Sequence, residues 1–213
     1  MSIRATHTDF IRLLKRHRAE HVFNPWADRN ASDDLASNGP QARRRRLLAH
    51  LSIQPTHVLI GEASGYQGCR ITGIPFTSER LIIEGAIPRL RADRRRLSAR
   101  HIPWSEPSAT TVWSTLASLG IADSTILWNA FPWHPYRDGE SHSNRTPTPA
   151  ERAQGLPVLQ KLLELYPGAR VFAVGRHAEG ALLEIGRQAS LLRHPSMGGA
   201  MLFRQALQAA LKS

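Results

Sequence analysis

Four places in this chain bring together residue types that can do chemistry. In Gly61-Glu62-Ala63-Ser64-Gly65 a carboxylate follows an apolar run and stands beside glycines that permit a sharp turn. A carboxylate held there can orient or activate a water, with its acidity set by its burial. Read alone, Glu62 serves equally well as a turn acid capping the next helix. Asn129 closes another apolar run, ahead of Phe131, Pro132, Trp133 and His134. A buried asparagine needs partners. Its amide fits a base edge with a carbonyl beside an N–H and refuses the reversed pattern. An Asn that merely ties two loops together is the plainer reading. Phe76 follows Gly73-Ile74-Pro75, so its ring sits on a stiff loop and can floor a flipped base. Singly, it reads as a core phenylalanine.

His194-Pro195-Ser196 is the fourth place, followed by Met197-Gly198-Gly199. The histidine can donate a hydrogen bond to an oxygen that turns negative as a leaving group departs. Ser196, the amides after it and the start of the last helix can hold a phosphate. On its own the motif is a loop histidine beside a turn proline.

These residues need elements to position them. Short apolar runs at 57–61, 125–131, 170–175 and 190–193 have strand length, and the first three are continuously apolar, as in parallel strands covered on both faces. The fourth is weaker and reads as an edge strand. Between them, residues 41–52, 108–119, 149–165, 177–186 and 199–211 carry helical patterns. Ser108 reads as the N-cap of the second; Thr148, Pro149 and Glu151 read as cap, first-turn proline and capping-box acid of the third. The alternation predicts one α/β domain spanning residues 1–213, a three-layer α/β/α sandwich on a four-stranded, mainly parallel sheet. In such a sheet ligands bind beyond the carboxyl ends of the strands, where Glu62–Tyr66, Asn129–His134, Arg176-His177 and His194–Gly199 follow the four runs.

Composition narrows the partners. Twenty-eight Lys and Arg against seventeen Asp and Glu give a net charge of +11, and the pI is about 11.2. Arginine dominates, in a run at Arg43–Arg46 and in a cluster from Arg89 to Arg100. Guanidinium forks match phosphate oxygens, so a nucleic-acid partner is expected, although a solvated helix face would look the same. Segment 77–107, with Trp104 between two prolines, reads either as a helix and loop along a DNA backbone or as a disordered basic insertion. One cysteine, Cys69, excludes an internal disulfide and a cysteine-rich metal site, and the ten histidines lack zinc spacing. The serine of the first motif is misplaced for a nucleophile elbow. No apolar run reaches the roughly eighteen residues of a membrane span, and the N-terminus lacks a signal peptide's apolar core. A cytoplasmic monomer without metal or cofactor is expected.

Taken in order, Gly61–Gly65, Gly73–Phe76, Asn129, Asn144-Arg145-Thr146-Pro147-Thr148-Pro149-Ala150-Glu151 and His194–Ser196 resemble the uracil-DNA glycosylase superfamily, in particular its bacterial and archaeal family 4. The resemblance covers about residues 57–205. It implies a monofunctional glycosylase that flips uracil out of DNA and hydrolyses its N-glycosidic bond, leaving an abasic site. It implies Glu62 and His194 as catalytic groups and Ala63, Phe76 and Asn129 as the uracil pocket. Ser64, Gly65, Arg145, Ser196, Met197 and Gly198 would meet DNA, single- or double-stranded, with Met197 wedged into the vacated stack. Family 4 carries an iron–sulfur cluster on four cysteines; this chain has one, so a cluster-free branch is implied. Ser64 replaces the usual proline of the first motif, and Met197-Gly198-Gly199 replaces a bulky apolar series. These departures leave room for a lesion or abasic-site binder with little turnover, or for a glycosylase of other deaminated bases. A basic α/β module binding RNA or nucleotides is the remaining reading, and no G-x-x-x-x-G-K-[ST] loop supports it.

Overall fold

The computed structural model describes residues 3–212. In chain order its elements are α1 (Ile3–Leu14), β1 (Val22–Phe23), α2 (Pro40–Leu51), β2 (His57–Ala63), α3 (Cys69–Thr72), α4 (Glu79–Ile83), α5 (Pro107–Ser118), β3 (Thr125–Phe131), β4 (His134–Pro135), α6 (Pro149–Leu165), β5 (Arg170–Val174), α7 (Arg176–Glu184), β6 (Ser190–Leu192) and α8 (Ala200–Ala210). The main sheet has the order β3-β2-β5-β6 and every pairing is parallel. β6, three residues long, is an edge as expected. A two-residue antiparallel pair, β1 with β4, was not foreseen.

Successive side chains of a strand leave opposite faces of the sheet, and this alternation builds the layers. Val58 and Ile60 of β2, Ile126 and Trp128 of β3, and Val171 and Ala173 of β5 join one core, with Phe10 of α1, Leu47 of α2, Leu159 of α6 and Leu182 of α7. Leu59, Leu127, Phe172 and Val174 join the other, with Val112 of α5 and Phe203 of α8. The result is the expected α/β/α sandwich. α6 opens on the expected capping box, Thr148 with Glu151. α5 does not open on Ser108: Glu106 is its N-cap, and the Ser108 hydroxyl donates to Glu106 Oε1 at 2.7 Å. α1 was not expected from sequence, because charges interrupt its apolar positions, yet Phe10 and Leu14 are wholly buried.

The arginine run is partly structural, which corrects its reading as a phosphate surface. Arg43 and Arg46 are 0% and 5% exposed. Arg43 Nη1 donates to both Asp34 carboxylate oxygens, at 2.8 and 2.9 Å, and Arg46 Nε donates to Thr72 O at 2.7 Å. Burial lowers the Arg46 pKa to about 10. Asn38 Nδ2 donates to Ile71 O and Trp26 Nε1 to Gly73 O, so this layer clamps the backbone of 71–73, just ahead of Phe76. Arg89 likewise serves carbonyls, those of Ala122, Asp123 and Thr125.

Segment 77–107 is ordered around one buried acid. Glu79 is 0% exposed, and its carboxylate accepts from the amides of Leu97, Ser98 and Trp104, from the Ser98 hydroxyl and from Arg96. Burial alone would raise its pKa, but the Ser98, Leu97 and Trp104 hydrogen bonds outweigh it and hold the pKa below the usual value. A depressed carboxyl pKa stabilises the fold above the unfolded value of about 4.3, and that contribution fades as pH falls below it. We expect Glu79→Ala to cost about 3–5 kcal/mol in urea unfolding at neutral pH and to flatten the loss of stability between roughly pH 5 and 3. A loss under about 1 kcal/mol, or an unchanged acid slope, contradicts this account of the segment.

Candidate active site

The alternation that builds the two cores also sorts the polar groups at the carboxyl end of the sheet. Gly61 and Asn129 lie two residues beyond Leu59 and Leu127, on the face of α5 and α8, and are partners in the β2–β3 register. Glu62 lies two beyond Ile60, on the face of α7. A cleft of about 960 Å³ wraps this edge and is lined by Glu62, Phe76, Asn129 and His194 among others. Ala63, Ser64, Gly65, Arg145, Ser196, Met197 and Gly198 line it too. The structure thus brings every residue singled out from sequence to one cleft, though not all with free side chains.

Its floor exists because Gly61 has no side chain. A Cβ there would lie 2.4 Å from the Phe76 ring and 2.6 Å from the Asn129 amide, closer than any real contact. Phe76 itself has φ +50° and is 7% exposed. A left-handed phenylalanine costs about 1–2 kcal/mol. It is held by the clamp on 71–73 and by Thr72, whose hydroxyl accepts from Ile74 N and donates to Thr77 O at 2.8 Å.

Asn129 is 2% exposed and its amide orientation is determined by neighbours. The Ser64 backbone N–H, 3.2 Å away, can only donate, so Oδ1 faces it and Nδ2 donates to Trp128 O at 3.2 Å. The Ser64 hydroxyl spends its one hydrogen on Pro132 O. One amide hydrogen and one oxygen lone pair of Asn129 are left over. Ser64, expected at DNA, is 3% exposed and turned into the protein.

His194 is fixed in the same manner. Its Nδ1 accepts from the Ser196 backbone N–H at 3.1 Å and lies 2.7 Å from the Ser196 hydroxyl. A nitrogen that accepts from an amide carries no hydrogen, so the neutral ring is protonated on Nε2. Burial, and after it Arg193, lowers the His194 pKa and favours this neutral form. The ring lies 6.4 Å from that of Phe76, tilted by 37°. The loop beyond it is tight: a Cβ on Gly199 would stand 2.1 Å from His194 O. At its tip Met197 has φ +52° and is 90% exposed.

On the other face, Glu62 Oε1 is buried and has no hydrogen-bond partner among the described residues. His177 Nε2, in the first turn of α7, lies 4.0 Å from it. Arg145 lines the cleft, but its guanidinium forks onto Glu151 at 2.6 and 2.7 Å and its Nε donates to Tyr136 O. That ion pair holds the Glu151 pKa down and raises that of Arg145.

Sequence reasoning passed over Glu106 and gave no role to Asn144 or His177. Glu106 forms part of the cleft wall, packed so closely on Gly68 that a Cβ there would overlap its carboxylate, and burial raises its pKa. Nothing in its neighbouring residues announces this. Asn144 accepts from Tyr66 N at 3.1 Å, a contact 78 positions apart in sequence. His177 was visible as the segment after the third strand, but its approach to Glu62 depends on how α7 packs against β2.

Residues 48–211 match the family model of the uracil DNA glycosylase superfamily. Among solved structures, the crystal structure of wild-type Pedobacter heparinus SMUG2 aligns over 97% of this chain and 97% of that chain, with a TM-score of 0.68 and 14% identity. No curated protein matches.

Two outcomes follow from this geometry. Gly61→Ala should lower stability by about 1–3 kcal/mol by forcing Phe76 and Asn129 apart, read by denaturant unfolding; a neutral substitution contradicts the close approach. The His194 ring, followed by NMR, should titrate below about 6.5 with Nδ1 unprotonated above the midpoint. A proton on Nδ1 refutes the tautomer.

Proposed function

The chain belongs to the uracil DNA glycosylase superfamily, and from that premise we propose that it excises uracil from DNA by hydrolysing the N-glycosidic bond of a flipped nucleotide. The observation that carries this reading is the meeting of the Phe76 ring, the oriented Asn129 amide and the neutral His194 ring in one cleft. Uracil stacks on Phe76, beside Ala63. Its O4 accepts the spare Asn129 N–H, and its N3–H donates to the spare Oδ1 lone pair. Cytosine reverses both groups and meets donor with donor.

Uracil leaves as an anion whose charge gathers on O2. The His194 Nε2–H is the donor for that oxygen, and because the ring is already neutral no proton need be lost before it acts. Ser196, expected at a phosphate, works through His194 by holding its tautomer. The sugar passes through an oxocarbenium-like state, stabilised by the DNA phosphates and by Glu62. The unpartnered Glu62 Oε1 is the acceptor that orients the attacking water. Gly65, Gly198 and the start of α8 approach the DNA backbone, and Met197 fills the vacated stack from a tip already bent into position. Arg145 frames the cleft through Glu151 and reaches DNA only with the outer edge of its guanidinium.

The test is an oligonucleotide panel carrying U, T, hypoxanthine or xanthine, single- and double-stranded, followed by alkaline cleavage. Cleavage at U is expected. Tight binding without cleavage of any strand would overturn the reading in favour of a lesion binder, and cleavage confined to another base would reassign the substrate. His194→Ala should lower kcat by about 10²–10³ with DNA affinity little changed. Equal turnover removes His194 from the mechanism.

A further inference from the structure

One cluster beside the cleft has no task in that chemistry. Tyr66, Trp104 and His142 come from three separate loops and meet ring to ring. The Tyr66 and Trp104 centroids are 5.5 Å apart at 89°, Trp104 and His142 are 5.5 Å apart at 56°, and Tyr66 and His142 are 6.1 Å apart at 37°. The Arg100 guanidinium lies 3.8 Å from the Trp104 ring centre. Each ring stands one or two positions from a residue of the cleft: Tyr66 between Gly65 and Gln67, Trp104 before Glu106, His142 before Asn144. The cluster therefore sits at the rim of the cleft.

It is also held rigid. Tyr66 N donates to Asn144 Oδ1 at 3.1 Å, His142 Nε2 lies 2.5 Å from Asp33 Oδ2, and Trp104 N donates to Glu79 Oε2 at 3.0 Å. An aromatic trio of this kind is ordinary in a core, but here only Trp104 is buried, at 6%. Tyr66 is half-buried, Arg100 is exposed, and the His142 side chain is 43% exposed. The Trp104 indole N–H has no acceptor among the described residues.

Fixed aromatic faces partly open to water, with a stacked guanidinium beside them, suit the flat face of an unpaired base and the phosphate next to it. The loop that supplies Arg100 also carries the exposed Arg94 and Arg95, so its charge favours a polyanion over an apolar peptide. We propose that Tyr66, His142 and Arg100, backed by the buried Trp104, form a stacking shelf for the base of a nucleotide adjoining the flipped one. The shelf rests on the reading of the cleft as a DNA site. It adds a contact that holds the strand beside the cleft without taking part in bond cleavage.

The experiment uses a labelled single strand bearing uncleavable 2′-fluoro-deoxyuridine, with 2-aminopurine on one or the other side of it. The full-length protein should change the 2-aminopurine fluorescence on one side only. Tyr66→Ala should abolish that change and weaken binding about tenfold, while Tyr66→Phe keeps both. Replacing that neighbour by an abasic linker should weaken the wild type about tenfold and leave Tyr66→Ala unaffected. The ratio between the two proteins should not vary with salt, unlike a lost phosphate contact. His142→Ala provides the same comparison if Tyr66→Ala melts early. Binding with no fluorescence change on either side, or the same linker penalty in both proteins, overturns the shelf and leaves the glycosylase reading standing. Binding with the expected change but no excision of ordinary deoxyuridine overturns the glycosylase reading and leaves the shelf. No binding to any strand overturns both.

Discussion

Parallel pairing of β2 with β3 sets Gly61 opposite Asn129, and the missing side chain at Gly61 is what lets an aromatic ring and an amide converge on one stretch of backbone. Everything on that side of the cleft is arranged to keep this approach. The left-handed backbone of Phe76 aims its ring at the gap, at a cost that the surrounding packing offsets. The Ser64 amide and Trp128 carbonyl turn the Asn129 side chain one way, and Ser196 turns the His194 ring one way. Each polar group has its direction chosen by the backbone beside it, so little reorganisation is left for binding to accomplish.

Charge does two jobs here. The run Arg43–Arg46 sends two members into the interior, where they bind carbonyl oxygens under the turn that precedes Phe76. A guanidinium serves well there because its several N–H groups satisfy acceptors that an apolar side chain would leave bare. Arg45, Arg91, Arg94, Arg95 and Arg100 remain exposed. A net charge of +11 therefore overstates the positive surface a polyanion would meet.

The sheet was legible because its strands are continuously apolar and its helices carry caps, and the capping box of α6 lies where the Thr148–Glu151 spacing puts it. Glu62, Asn129 and His194 were legible because they stand at or just beyond the carboxyl ends of β2, β3 and β6. What stayed hidden depends on packing between distant segments. Whether an arginine faces water or a carbonyl is not written in its own neighbourhood, as Arg43 and Arg45 show. Glu79 gathers its partners from 17 to 25 positions away, so a stretch that reads as basic and irregular is pinned by a single acid. Ser64 looked outward as part of a glycine turn and is turned inward by Pro132 O.

Strand alternation leaves Glu62 on the α7 face and Phe76 with Asn129 on the α5 and α8 face, the same strand contributing to both. That division makes the site modular over evolutionary time. His177 of α7 lies 4.0 Å from Glu62, whereas Gly61 meets Phe76 and Asn129 on the opposite face. On the proposed reading, substitutions in the 73–77 turn alter what the pocket accepts from the side away from Glu62. On the same reading, a lineage can drift in the base it prefers while Glu62 is inherited unchanged, because the two halves share a backbone and not a side chain.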